Sequence, residues 1–190
     1  KGGTLPHTGL YMPQDFSKRH LSKALEKSLQ RLKTDYIDIY QLHSPKIIEF
    51  ENNNIIETLQ NFKKQGKIRE YGVSVRSPDD GIIAIKKFKM PCIQVNFNLI
   101  DQRAKQNGLF DTAKSSGTGI INRTPLVFGL LSDGKSANAI FPKHDHRSNY
   151  PKTQLKAWAN SKNLFSFLYK DKTAVQAALR FCLDFDEVSV

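Results

Sequence analysis

The sequence predicts an α/β fold in which a parallel sheet is covered by helices. Three observations carry that expectation. Short runs rich in β-forming residues alternate with longer stretches whose apolar residues recur at helical spacing. The connections between them are short, as they are in repeated strand–helix units. Each short run also closes on a polar residue at its carboxyl end, where a buried strand has no local reason to place one.

Residues 1–16 contain Gly2, Gly3, Pro6, Gly9 and Pro13 and read as a loop. Ser17 is the expected N-cap of a first helix, with Phe16 and Leu21 as a hydrophobic staple across it. Leu21, Ala24, Leu25, Leu29 and Leu32 then form one apolar stripe. A strand follows over 36–43, closed by Ser44-Pro45. The second helix carries Ile55, Ile56, Leu59 and Phe62 and stops at Gly66. Strands over 68–74, 92–97 and 119–123 alternate with helices over 79–88 and 101–114. The stretch 127–150 is irregular. Helices over 152–162 and 174–184 precede the start of a fifth strand at 187–190. This pattern fits both a closed barrel and an open doubly wound sheet. No Gly-x-Gly-x-x-Gly follows a strand, which argues against the open dinucleotide-binding type.

The chain has 190 residues, 39% hydrophobic and 25% charged, as expected of one globular domain over residues 1–190. Its formal charge is +11. The lysines and arginines are scattered, and neither an aromatic RNA-binding motif nor zinc-finger spacing accompanies them. A nucleic-acid partner is therefore not expected, although a positive field favours an anionic cofactor. No apolar run is long enough to span a bilayer and no signal peptide opens the chain, so a cytoplasmic protein without a membrane partner is expected. Cys92 and Cys182 lie in apolar surroundings outside any metal-ligand spacing. They are expected to be reduced core residues, and no metal site is expected.

The polar residues at the strand ends are His43, Ser74, Gln94 with Asn96, and Asn122 with Arg123. In a parallel barrel these edges converge on one mouth, where active sites are built. Any one of them alone would pass as a hydrogen-bonded loop-edge residue; four strands agreeing is the informative feature.

The segments 28–43 (SLQRLKTDYIDIYQLH), 66–74 (GKIREYGVS), 124–135 (TPLVFGLLSDGK) and 141–148 (FPKHDHRS) resemble, in order and spacing, blocks of the aldo-keto reductases. That resemblance implies a (β/α)₈ TIM barrel, present here as an incomplete barrel with about strands 4 to 8 and their helices. It also implies an oxidoreductase that transfers a hydride between a nicotinamide cofactor and a small carbonyl or alcohol substrate. The family uses an Asp, Tyr, Lys and His tetrad. His43 matches its His and Lys1 its Lys, while Asp and Tyr are expected upstream of Lys1. A cationic Lys favours the phenolate of the acid Tyr, and His donates to the carbonyl oxygen.

The cofactor-binding positions carry over in the same way. Ser74 and Gln94 match the ligands of the nicotinamide carboxamide, and Val75 stands where the family often has Asn. Arg123 falls where many members place an aromatic ring against the nicotinamide, a role a planar guanidinium can fill. Thr124, Leu126, Gly129 and Lys135 match the pyrophosphate-binding loop. NADPH is the cofactor implied, with NADH as its alternative. The competing reading is a non-catalytic aldo-keto reductase-like binding or regulatory subunit, which the residues before Lys1 would distinguish. Five strands cannot close an eight-stranded barrel, so the isolated chain is expected not to be independently stable.

Overall fold

The computed structural model describes residues 1–6, 12–52, 54–133 and 138–190. Helix α1 (Lys18–Leu32) begins where Ser17 Oγ accepts a hydrogen bond from the His20 amide at 3.2 Å. Phe16 and Leu21 are both buried across that cap, and Leu25 and Leu29 continue the buried stripe. The helix ends at Lys33, in a left-handed conformation.

Four strands follow: β1 (Ile37–His43), β2 (Ile68–Ser74), β3 (Cys92–Asn96) and β4 (Gly119–Arg123). They form one sheet in sequence order, and every neighbouring pair is parallel. The sheet is extended at both edges by single parallel bridges, Gly2 to Leu42 and Ile120 to Val188. The expected strand at 187–190 is thus present only as a bridge, with Ser189 N donating to Ile120 O at 2.8 Å. Within the expected loop over 1–16, the described residues 1–6 and 12–16 pair with one another. Thr4 and Gln14 pair antiparallel, and Asp15 N donates to Gly3 O at 2.8 Å.

Between the strands run α2 (Ile47–Asn52), α3 (Ile55–Lys64), α4 (Pro78–Phe88), α5 (Arg103–Gln106) and α6 (Leu109–Ser116). The short α2 was not expected from the sequence. The single helix expected over 101–114 is two. Gly108 sits at φ +84°, and Asn107 Oδ1 accepts from the Leu109 amide to restart the helix. A residue of the left-handed region cannot continue an α-helix, and glycine enters it without steric cost. Beyond β4, the long irregular stretch contains a 3₁₀ turn (His146–Asn149). It leads to α7 (Lys152–Ser161), a 3₁₀ segment (Lys162–Leu168) and α8 (Ala174–Leu183). Thr173 and Gln176 form a capping box at the start of α8.

Side chains alternate between the faces of each strand. On the helix side Tyr40, Leu42, Val73, Ile93, Val95 and Ile120 are buried in one cluster with Leu25, Leu59, Ile85 and Leu109 of the helices. The other face carries Gln41, His43, Ser74, Gln94 and Arg123 by the same register. Cys92 and Cys182 are free and buried, as the sequence predicts, and burial raises both thiol pKa values, that of Cys182 to about 11. Among the described residues no helix is long and apolar enough to cross a membrane, and no cluster could hold a metal ion.

Two substitutions test this packing. A Cβ at Gly72 would lie 2.7 Å from the backbone oxygen of Cys92. Gly72→Ala in the full-length protein is therefore expected to cost about 1–3 kcal/mol, seen as a lower melting temperature. Tyr40 is buried, its hydroxyl fills the space a side chain at Gly2 would need, and that hydroxyl has no hydrogen-bond partner among the described residues. Burial pushes its pKa up to about 12. The folded state holds this proton more tightly than the unfolded chain, so the stability it contributes is complete below pH about 10 and is lost as pH rises toward about 12. Tyr40→Phe is expected to keep or raise stability at neutral pH and to flatten that alkaline loss in melts recorded across this window.

Candidate active site

The parallel register brings the strand ends into line. His43 pairs with Ser74, Ser74 with Gln94, and Asn96 with Arg123. The sequence-predicted residues of four strands therefore share the carboxyl edge of the sheet.

Arg123 ties three of those strands together. Its Nε donates to Asn96 Oδ1 at 2.7 Å, Nη1 to Ser74 Oγ at 2.8 Å and Nη2 to Val75 O at 3.2 Å. Each contact uses a different edge of the fork, so the plane of the guanidinium is fixed. Burial lowers its pKa, but a guanidinium remains charged. Ser74 is fully buried beneath it. The Lys1 ammonium donates to Gln94 Oε1. Burial, and then the charge of Arg123, hold Lys1 below the ordinary lysine range.

His43 is fixed by a second set of contacts. Its Nδ1 lies 2.7 Å from Thr4 Oγ1, so the N-terminal segment sets the orientation of the ring. Gln14 Nε2 donates to the backbone oxygens of His43 at 2.6 Å and Ser44 at 3.3 Å. Arg76 Nε donates to the same Ser44 oxygen at 2.9 Å, and Arg76 Nη2 to Gln14 Oε1 at 2.9 Å. Ser44 has φ +56° and precedes a proline, a position that favours extended backbone. These bonds hold a costly turn directly after His43. Thr4, Gln14 and Arg76 were not singled out from the sequence. They lie 39, 29 and 32 residues from the groups they contact, and no spacing rule links such distances.

The loop after β4 has its own character. Thr124, Val127 and Phe128 are left-handed at φ +59°, +48° and +56°, and Gly129 at +84°. Asn98 Nδ2 donates to Thr124 O at 3.1 Å, and Thr124 Oγ1 to Asn96 Oδ1 at 3.0 Å, which anchors the loop to the end of β3. The amides of Leu126 and Phe128 have no hydrogen-bond partner among the described residues. Thr124, Leu126 and Gly129 thus lie on one turn beside Arg123, whereas Lys135 lies outside the described residues.

Two clefts open along this edge. One, of about 710 Å³, is lined by His43, Ser44, Lys46, Arg76 and Arg123 among others. The second, of about 530 Å³, lies between the exits of β3 and β4, with Asn98, Arg103, Thr124, Phe128 and Trp158 in its wall. Among the described residues they share no lining residue.

Residues 10–190 match the sequence model of the Aldo/keto reductase family. The L-glyceraldehyde 3-phosphate reductase of Escherichia coli K12 is 30% identical over 191 residues, covering 91% of this chain and 54% of that protein. An uncharacterized oxidoreductase of Bacillus subtilis, YqkF, is 36% identical over 119 residues, covering 63% of this chain and 38% of its own length. Among solved structures, the holo form of the aldo-keto reductase AKR11C1 from Bacillus halodurans is similar with a TM-score of 0.74 at 29% identity. That match covers 100% of this chain and 59% of the other. The glycerol dehydrogenase AKR11B4 from Gluconobacter oxydans gives 0.75 at 28% identity, covering 97% and 58%. This chain therefore spans between 38% and 59% of the length of these relatives. The strand–helix alternation is that of consecutive units of a (β/α)₈ barrel, and the chain belongs to the aldo/keto reductase family.

Proposed function

We propose that the protein containing this chain is a nicotinamide-dependent oxidoreductase that reduces a small carbonyl compound to an alcohol. One observation supports this above the others. Polar side chains from four successive strands meet at one edge, beside a cleft that contains His43 and a loop with unpartnered amides. When bound, NADPH supplies a hydride to the carbonyl carbon and leaves as NADP⁺, while the carbonyl oxygen takes a proton.

The residues present fit that group chemically. A carboxamide offers an acceptor and a donor. The Gln94 amide retains its N–H donors although Lys1 occupies its oxygen, and Ser74, covered here by Arg123, joins this set by the family resemblance. The locked guanidinium of Arg123 offers a flat surface for a ring. Thr124, Leu126 and Gly129 would hold the pyrophosphate, because the Leu126 amide has no hydrogen-bond partner among the described residues and Gly129 presents no side chain to an approaching anion. Lys135 joins this set by the family resemblance.

His43 would donate to the carbonyl oxygen, its ring steadied by Thr4. Lys1 supplies positive charge that favours the ionised form of an acid hydroxyl. Of the described tyrosines, Tyr40 is unsuited to the acid role, being buried on the helix side with its pKa raised. NADPH rather than NADH, and a cytoplasmic location in keeping with two free buried thiols, complete the reading.

Titration of NADPH fluorescence with full-length protein is expected to show binding that survives His43→Ala. The same substitution should lower kcat for aldehyde reduction by about 10²–10³. Binding with no reduction of any aldehyde would favour the regulatory reading, and absence of both would refute the assignment. The pH profile offers a separate check. Lys1 has a lowered pKa, so raising the pH removes its charge earlier than for an ordinary lysine. Activity is expected to decline on the alkaline side below pH about 10.4, and Lys1→Arg should move that decline upward.

A further inference from the structure

The cleft beside His43 carries an excess of positive charge. Among its described lining residues Lys46, Arg76 and Arg123 stand against one carboxylate, that of Glu49. Elsewhere on this surface cations pair with acids: Lys63 with Glu70, Arg69 with Asp38, and Arg147 with Asp145. Among the described residues no ion pair involves Lys46, Arg76 or Arg123. The protein partners of both arginines are neutral: Ser44 O and Gln14 for Arg76, and Ser74, Asn96 and Val75 O for Arg123.

Those neutral contacts orient Arg76 without cancelling its charge. Two of its nitrogens are used, and Nη1 has no hydrogen-bond partner among the described residues. An arginine held flat by neutral acceptors keeps its preference for a planar two-oxygen or three-oxygen anion. Position separates this charge from the proposed pyrophosphate loop. Arg76 follows β2 and Lys46 follows β1, whereas that loop follows β4, with β3 between. The two clefts have no described residue in common.

We propose that the mouth cleft selects a carbonyl substrate that also carries an anionic group, a carboxylate or a phosphate, gripped by Arg76 and Lys46. This inference rests on the oxidoreductase reading and names the substrate class for the same site. The grip places the anion on the β1–β2 side of the cleft and leaves the carbonyl end to His43.

The test uses full-length protein, saturating NADPH and three aldehydes of matched chain length: one neutral, one with a terminal carboxylate, one with a terminal phosphate. At least one anionic aldehyde should show a kcat/KM about tenfold or more above the neutral one, mostly through KM. The arm that gains identifies which anion is preferred. Arg76→Met also loosens the Ser44 turn, so the ratio of anionic to neutral kcat/KM is the quantity read; a loss common to both substrates cancels. That ratio should fall about tenfold in Arg76→Met and recover partly in Arg76→Lys. Lys46→Met, which leaves the Ser44 turn intact, should lower it as well. Equal kcat/KM for neutral and anionic aldehydes, or a ratio unmoved in both Met variants, would overturn this inference and leave the oxidoreductase reading standing. Failure to bind NADPH or reduce any of the three would sink both.

Discussion

Parallel pairing in unbroken sequence order is the constraint from which the rest of this structure follows. A parallel sheet delivers every carboxyl end to the same edge. The two-residue alternation of side chains then decides which residues at that edge look inward. His43, Ser74 and Gln94 are register partners across three strands, and Arg123 stands opposite Asn96 on the fourth. A one-residue slip in any pair would turn its polar end toward the helices and break the set. The buried cluster prevents that slip, because Tyr40, Leu42, Val73, Ile93 and Ile120 can meet the helices only in this register.

The same constraint separates stability from chemistry. The helix side of the sheet is apolar and close-packed, with helices supplying leucines and isoleucines along single stripes. The carboxyl edge is polar and held mainly by side-chain hydrogen bonds from residues remote in sequence. Arg123 joins β2, β3 and β4, while Gln14 and Arg76 bind the turn after β1. Backbone strain collects on this edge too, at Ser44 and at residues 124, 127 and 128. Strain of this kind persists only where surrounding bonds hold it, and it is commonly found at functional sites.

Charge at the edge is arranged differently from charge on the remaining surface. Many exposed lysines and arginines pair with acids at the helix and strand surface, where such pairs contribute little. At the mouth, Lys1, Arg76 and Arg123 are held by neutral oxygens instead. Holding cations without neutralising them is costly unless an anion completes the site. The formal charge of +11 thus has a local meaning that its scattered distribution along the chain conceals.

What the sequence alone determined was the periodic part of the protein. Ser17, the α1 stripe from Leu21 to Leu29, the short β-rich runs and the Gly66 stop are local signals that map onto the observed elements, whereas Leu32, expected in the same stripe, is exposed at the helix end. The polar strand ends were legible for the same reason: they depend on position within one strand. The break at Gly108 and the short α2 were missed because their signals compete with helical periodicity over a few residues. Tertiary structure alone decided what each polar end touches. Thr4 beside His43, Arg76 on Ser44, and Lys1 on Gln94 join residues that are 39, 32 and 93 positions apart. Such contacts arise because the sheet brings distant strand ends within a few ångströms, and no local pattern in the chain encodes that distance.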